Sequence, residues 1–254
     1  MVTALDDISL QIAPRQLAVL LGPSGCGKTT LLNLIAGFLQ PTRGEIRVNH
    51  RPVGAPSPDR MVVFQSHALF DWMTVEQNVI AGMFSLPTSR REKRDRAREL
   101  LDLVGLGGFE HSYPSHLSGG MQQRAGVARA LAPDPSVLLL DEPFGALDSL
   151  TREQLQDDLL SVFEARSVTG VLVTHSIEEA VYLGDVVYVL SSGPGRIADV
   201  WTRGQHAHAD RSSERFTEDV RDLRRMFEAV VHAMDGGHPT TSTNDTPHTS
   251  GDQP

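Results

Sequence analysis

A single cysteine, Cys26, stands among 254 residues, so no internal disulfide framework can hold the chain, and thiols this scarce fit a reducing cytosol. Positive charge is also in short supply. The 23 Lys and Arg against 32 Asp and Glu leave a formal net charge of −9, which argues against a general nucleic-acid binder or a protein held electrostatically on anionic lipid. Long apolar runs are missing: the longest, around residues 31–39 and 137–140, fall far short of the roughly 20 residues that span a bilayer. Residues 1–7 lack the basic stretch and apolar core of a secretory signal. The chain is therefore expected to be soluble and to act on any membrane through partners. Residues 236–254 contain no large apolar side chain, and a segment with nothing to bury is expected to be disordered.

The remainder suits one large α/β domain, alone or with a smaller one inserted, since 40% of the residues are hydrophobic and 22% charged. Short β-rich apolar runs recur at Leu17–Leu21, 61–64, 137–140, 171–173 and Val186–Leu190. Several lead into loops and then helical patterns, which predicts a mainly parallel sheet covered by helices. Residues 90–103 and 152–166 read as amphipathic helices, the second with Leu155, Leu159, Val162 and Phe163 on one side. Thr74 with Gln77 and Ser176 with Glu179 fit capping boxes at helix starts.

Residues 22–29 read GPSGCGKT, a full G-x-x-x-x-G-K-[ST] pattern between the apolar run Leu17–Leu21 and a helical run at 30–39. Gly22, Gly25 and Gly27 let the backbone wrap closely, so that N–H groups along Gly22, Pro23, Ser24, Gly25, Cys26, Gly27, Lys28, Thr29 and Thr30, Pro23 excepted, can face a phosphate at a helix N-terminus. Lys28 is expected to reach the β- and γ-phosphates and the Thr29 hydroxyl to ligate Mg²⁺. Residues 137–142 read VLLLDE. A buried strand delivering Asp141 to the C-terminal edge of the sheet places it beside the phosphate loop. Asp141 then serves as a direct or indirect Mg²⁺ partner, and Glu142 as the general base that polarises the attacking water. These features specify an NTPase without specifying which; kinases, GTPases and helicases share them.

Residues 117–124 read LSGGMQQR. Ser118 can cap a helix while Gly119 and Gly120 bring backbone N–H groups to an anion. A second anion-binding helix start on one chain is odd if it serves the chain's own nucleotide. The stretch resembles the LSGGQ signature of the ABC ATPases. Further marks of that family follow in order: Gln65 after MVVF resembles the Q-loop, residues 145–149 (GALDS) the D-loop, and His175 after VLVT the switch histidine. The resemblance covers residues 4–200. It implies a P-loop fold with a mainly parallel core sheet, an antiparallel β subdomain and a helical subdomain inserted at about residues 75–135, all within an ATPase domain of residues 1–235. It also implies two ATP molecules sandwiched in a head-to-tail homodimer, the signature of one subunit completing the site of the other. On the same resemblance, Gln65 would sense Mg²⁺ and the membrane partner, Asp148 would link the two sites, and His175 would contact the γ-phosphate and stabilise transition-state charge.

Within the family, residues 21–38, 141–152 and 191–197 are most similar to the ATPases of taurine, sulfonate and nitrate importers, and to the taurine branch among them. That similarity implies a subunit on the cytoplasmic face of the membrane, bound to two membrane-spanning permease subunits and served indirectly by a solute-binding protein, with no nucleic-acid partner. Met121 stands where the signature usually has Gln, and Ser176 where Asp commonly follows the switch histidine. Family members carry a strand and an adenine-stacking aromatic before the stretch resembled by residues 4–12. The sequence as given has neither, so an upstream start is expected or else weaker ATP binding, by about 1–3 kcal/mol for a lost stacking shelf.

Other features read as structural. Residues 90–98 interleave Glu92 and Asp95 among Arg and Lys, as a solvated helix face does. His206 and His208 have a metal-like spacing without a third ligand motif. Trp72, just after Gln65 where the family docks a permease coupling helix, can be an interface anchor or a core residue. A long coiled-coil insertion, typical of repair-type relatives, and a second cassette, typical of translation-type relatives, are both absent from the sequence.

Overall fold

The computed structural model describes residues 3–65, 69–145, 147–204 and 210–235; His206, His208 and the 236–254 tail lie outside them. In chain order the elements are β1 (Leu17–Leu21), α1 (Lys28–Ala36), β2 (Arg47–Val48), β3 (Arg51–Pro52), β4 (Arg60–Val63), α2 (Val75–Ala81), α3 (Arg90–Leu103), a 3₁₀ turn (Pro114–His116), α4 (Gly119–Leu131), β5 (Val137–Asp141), α5 (Ser149–Ala165), β6 (Thr169–Thr174), α6 (Ile177–Leu183), β7 (Val186–Leu190), β8 (Ile197–Thr202) and α7 (Glu214–Asp235). Six strands form one sheet in the order β4-β5-β6-β1-β7-β8. All its pairings are parallel except β7 with β8. The antiparallel remainder is the ribbon β2-β3.

Alternation along the strands makes two cores. Leu17, Val19, Leu21, Leu138, Leu140 and Leu172 face one way, toward the layer that holds α2 to α7. Ala18, Leu20, Leu139, Val171 and Val173 face the other, toward Leu31, Leu32 and Ile35 of α1, with Ile8, Leu10 and Ile12 packed at the margin. Strands buried on both faces must be apolar at nearly every position. That is why the predicted runs stand out in the sequence, and why β1 and β7 have the expected limits.

Helix α3 also has the limits read from its pattern, between a Ser89–Glu92 capping box and the end of its buried Ala97, Leu100 and Leu101 stripe. Helix α5 begins three residues before the amphipathic pattern, because Asp148 caps it by accepting from Thr151 N–H at 3.1 Å; Leu155, Leu159 and Val162 are buried and Phe163 half-covered, as expected. The Thr74–Gln77 box is complete. The Ser176–Glu179 box is half made: Ser176 Oγ accepts from Glu179 N–H at 3.2 Å, but the Glu179 carboxylate turns to the Thr174 hydroxyl instead. Among the described residues no helix is long and apolar enough to cross a membrane. Trp72 is 73% exposed, which excludes the core reading, and it edges a groove lined by Met73, Ile80, Phe84 and Lys93.

Candidate active site

Parallel register gathers the candidate residues. Leu21 pairs with Thr174, Asp141 with Val173 and Val63 with Leu140. The segments leaving β1, β4, β5 and β6 therefore emerge at one edge of the sheet. They carry the glycine loop, Gln65, Asp141 with Glu142, and His175. This is the edge at which open α/β sheets bind ligands.

The loop from Gly22 to Gly27 turns directly into α1. Gly27 caps that helix at φ +98, with Leu5 Cδ2 at 2.6 Å from where a Cβ would stand; only glycine takes that backbone without strain. Gly25, at φ +80, has open space around it. Lys28 is 6% exposed and folds back into the loop, donating from Nζ to the carbonyls of Gly22 at 2.8 Å and Pro23 at 2.9 Å. An ammonium held on neutral carbonyls in a buried loop can be given up to an anion of higher charge. Cys26 is buried, and Thr30 is half-buried one residue beyond Thr29 in the first turn of α1. The segment from β7 to β8 backs the loop: a Cβ at Gly195 would land on the Cys26 carbonyl, and Gly195 exchanges backbone hydrogen bonds with Ala4 and Asp6. The sequence marked residues 191–197 only as a likeness; their closeness to the phosphate loop comes from tertiary packing.

At the end of β5 the Thr29 hydroxyl donates to Asp141 Oδ1 at 3.2 Å. Burial pushes the Asp141 carboxyl above the ordinary aspartate range, against the pull of Thr29 and Lys28 and with a push from Glu142. Glu142 sits at φ +45, a region that costs a non-glycine residue about 1–3 kcal/mol. Two anchors hold it there. Its N–H donates to Val173 O at 3.0 Å, and its carbonyl accepts from Gly145 N–H at 3.2 Å. The bent backbone brings Glu142 Oε2 within 3.3 Å of His175 Nδ1. A residue pattern carries no backbone angle, so this strain lies beyond sequence reasoning.

Gln65 is exposed, its Nε2 at 3.4 Å from where a Gly145 Cβ would stand, and so lies beside the turn that carries Glu142. The structure thus brings together the loop, Asp141, Glu142, His175 and Gln65. Ser118, Gly119 and Gly120 sit elsewhere, at the start of α4, which packs on α2, α3, α5 and β4 rather than on α1. Ser118 Oγ caps that helix by accepting from Met121 N–H at 3.3 Å, so the Met at this position leaves the backbone donor intact. Asp148, exposed, is held below the usual aspartate range by Thr151, whose backbone N–H it accepts from.

The donor set fits a magnesium nucleotide. A loop with room at Gly25, a displaceable buried ammonium, and a hydroxyl paired with a carboxylate supply, respectively, a phosphate cradle, a counter-charge and hard oxygen ligands. Comparison with known proteins agrees as to the nucleotide. The model of the ABC transporter family matches residues 5–145. The chain is 54% identical over 196 residues, 77% of each chain, to the taurine import ATP-binding protein TauB of Yersinia pestis bv. Antiqua. It is 47% identical over 238 residues to the protein of the same name from Rhizobium johnstonii, covering 92% of this chain and 91% of that one. An ATP-binding cassette solved as a dimer in a post-hydrolysis state, bound to ADP and Pi, has a TM-score of 0.67 to this chain at 32% identity, over 78% of this chain and 90% of its own. With a family match spanning more than half of its length and the motif residues of that family meeting at one sheet edge, the chain belongs to the ABC transporter family.

Proposed function

We propose that the chain is the ATP-binding and ATP-hydrolysing subunit of an importer for a small sulfonate, taurine before other solutes. The observation that carries the ATPase reading is the cluster in which Thr29 meets Asp141 while Glu142 meets His175, next to a buried lysine that folds onto its own loop. In this reading Lys28 leaves the Gly22 and Pro23 carbonyls for the β- and γ-phosphates, and the N–H groups of residues 22–30 other than Pro23 line the phosphate chain. Thr29, Asp141 and Gln65 would hold Mg²⁺, which when bound neutralises charge on the β- and γ-oxygens. Glu142 takes a proton from the attacking water as its oxygen bonds to the γ-phosphorus, and the bond to the β-phosphate oxygen breaks, leaving ADP and phosphate. His175 contacts the γ-phosphate and offsets its developing charge.

Ser118, Gly119 and Gly120 would serve the nucleotide of a second copy, in a homodimer closed by two ATP molecules; their distance from α1 within one chain supports this. The exposed Trp72, Phe84 and their groove suit one of two membrane-spanning permease subunits. A solute-binding protein would act indirectly and nucleic acid not at all, with the assembly on the cytoplasmic face of the membrane. Residues 1–235 then form the ATPase domain, with 75–135 as its inserted helical part. The names of the taurine relatives support the solute. Aliphatic sulfonates or nitrate remain the alternative substrates, and a weakly hydrolysing interaction module the alternative role.

The test is MgATP hydrolysis by the purified chain over a range of protein concentrations. Specific activity that rises with concentration supports composite sites; none at any concentration, alone or with the permease, overturns the ATPase reading. Uptake of labelled taurine that stops in cells carrying Glu142→Gln, while unlabelled nitrate fails to compete, supports the solute.

A further inference from the structure

His175 is 64% exposed at its side chain, so an exposed ring must be aimed by the backbone beneath it. Both neighbours of that backbone are locked. The Thr174 hydroxyl accepts from Ser176 N–H at 3.0 Å and donates to Glu179 Oε2 at 2.5 Å. Ser176 Oγ in turn accepts from Glu179 N–H at 3.2 Å. A buried carboxylate is thus spent on the residue before His175 rather than on closing its own capping box. It does not stand alone there. Arg152 Nε, which is buried without a hydrogen-bond partner, lies 3.9 Å from Glu179 Oε1, and the same guanidinium donates to Leu147 O at 2.9 Å. Burial raises the Glu179 carboxyl above its usual range, and Thr174 and Arg152 work against that rise.

We propose that Thr174 and Glu179 are positioning residues for hydrolysis: they fix the backbone on both sides of His175 and so hold its imidazole at Glu142, while Arg152 ties that fixed point to Leu147 and the start of α5. This rests on the reading of Glu142 and His175 as the hydrolytic pair. A helix anchor with no such role would need neither the Thr174 hydroxyl nor a charged partner from α5. An apolar side chain would hold α6 on the sheet as well, and a neutral cap would serve its N-terminus. The chain from Leu147 through Arg152, Glu179 and Thr174 to the His175 backbone also gives the start of α5, and whatever docks beside it, a physical route to the switch.

Three measurements test it: kcat, equilibrium binding of a fluorescent ATP analogue, and Tm. Thr174→Val and Glu179→Ala should lower kcat about ten- to a hundredfold through misplacement of His175, with nucleotide affinity and cooperative unfolding preserved. Thr174→Ser, which keeps the hydroxyl, and Glu179→Gln, which keeps the acceptor, should recover most of the rate. Thr174→Val combined with His175→Ala should be no slower than His175→Ala alone, because residues acting as one unit are non-additive. If His175→Ala is slow but the losses multiply in the double variant, or if Thr174→Ser is as slow as Thr174→Val, the positioning role is overturned while the hydrolytic pair stands. If His175→Ala turns over at the parental rate, the pair itself falls and the proposal with it. Nitrogen-15 NMR of the histidine rings gives a reading independent of turnover. The His175 signals, assigned by their loss in His175→Ala, should shift in Thr174→Val, and unchanged signals overturn the proposal.

Discussion

Two helices of this chain start on glycine-rich turns, and they solve different problems. Helix α1 starts on Gly27 at φ +98 with no side-chain cap, and the residue that follows, Lys28, is buried against the loop's own carbonyls. Helix α4 starts on Ser118, extended at φ −64 and ψ 161, whose hydroxyl caps it in the ordinary way, and no acidic residue occupies its first turn. Its Gly120 is needed for space: a Cβ there would stand 2.5 Å from Thr151 Cγ2 on α5. At α1 glycine serves a backbone shape and a cation comes with it. At α4 glycine serves a close contact, and the helix end stays at the surface beside exposed Gly119. On the proposed function the first region cradles an anion within a single chain, and the second is half of a site, of use only when another body brings the anion to it.

The largest effect expected from breaking that pairing lies with the chemistry between them. Glu142→Gln should lower ATP turnover about 10²–10⁴-fold, the range for loss of a general base, while a nucleotide-binding titration stays at the parental affinity. Next is Lys28→Ala, which strips the cradle of its cation. Nucleotide affinity itself should then fall by about 1.5–3 kcal/mol, roughly 10- to 150-fold, as charge-assisted hydrogen bonds are lost, and calorimetric titration would read it. Gly120→Ala probes the other region. Forcing a methyl onto Thr151 should cost about 1–3 kcal/mol of stability, seen as a lower Tm, and should lower activity that depends on protein concentration while one chain's affinity for nucleotide is unchanged. An affinity loss as large as that of Lys28→Ala would show the two regions to be one site.

The smallest effect has an unusual sign. The folded-state pKa of Asp141 is raised, mainly by burial. A carboxyl raised on folding binds protons more readily folded than unfolded, so it withholds stability at neutral pH and returns it as pH falls through the raised value. Asp141→Asn should therefore raise the Tm of the nucleotide-free chain at neutral pH, with the difference from the parent closing in acid. The same variant should lose magnesium-dependent turnover. A lower Tm at neutral pH would count against the burial argument.

Much of the fold and of the site is legible in the residue pattern alone. Strands such as Val186–Leu190 announce themselves because both of their faces are covered. Helix α3 can be delimited because Ser89, Glu92 and the Ala97, Leu100 and Leu101 stripe are local signals in the right order. The phosphate loop is readable because its chemistry depends on glycines and a lysine at fixed spacing. What escapes depends on residues far apart in the chain or on how a side chain is packed. Glu179 looks like the second half of a capping box, and a 2.5 Å bond to Thr174 takes it elsewhere. Trp72 can be read either way until its exposure excludes the core reading. Gly195 owes its importance to Cys26, on a segment more than a hundred residues earlier.

The amino-acid sequence by itself determined which segments become buried strands, where the loop around Lys28 curls, and which residue types are available for phosphate and water chemistry, because these follow from alternation, capping and spacing over a few residues. The tertiary structure alone decided that Glu142 adopts a positive φ against His175, that Asp141 is raised by burial, and that residues 118–120 stand apart from the loop they resemble. Each of these depends on strand register and on contacts between elements distant in the chain, and on the desolvation those contacts impose. No local pattern of residues encodes that.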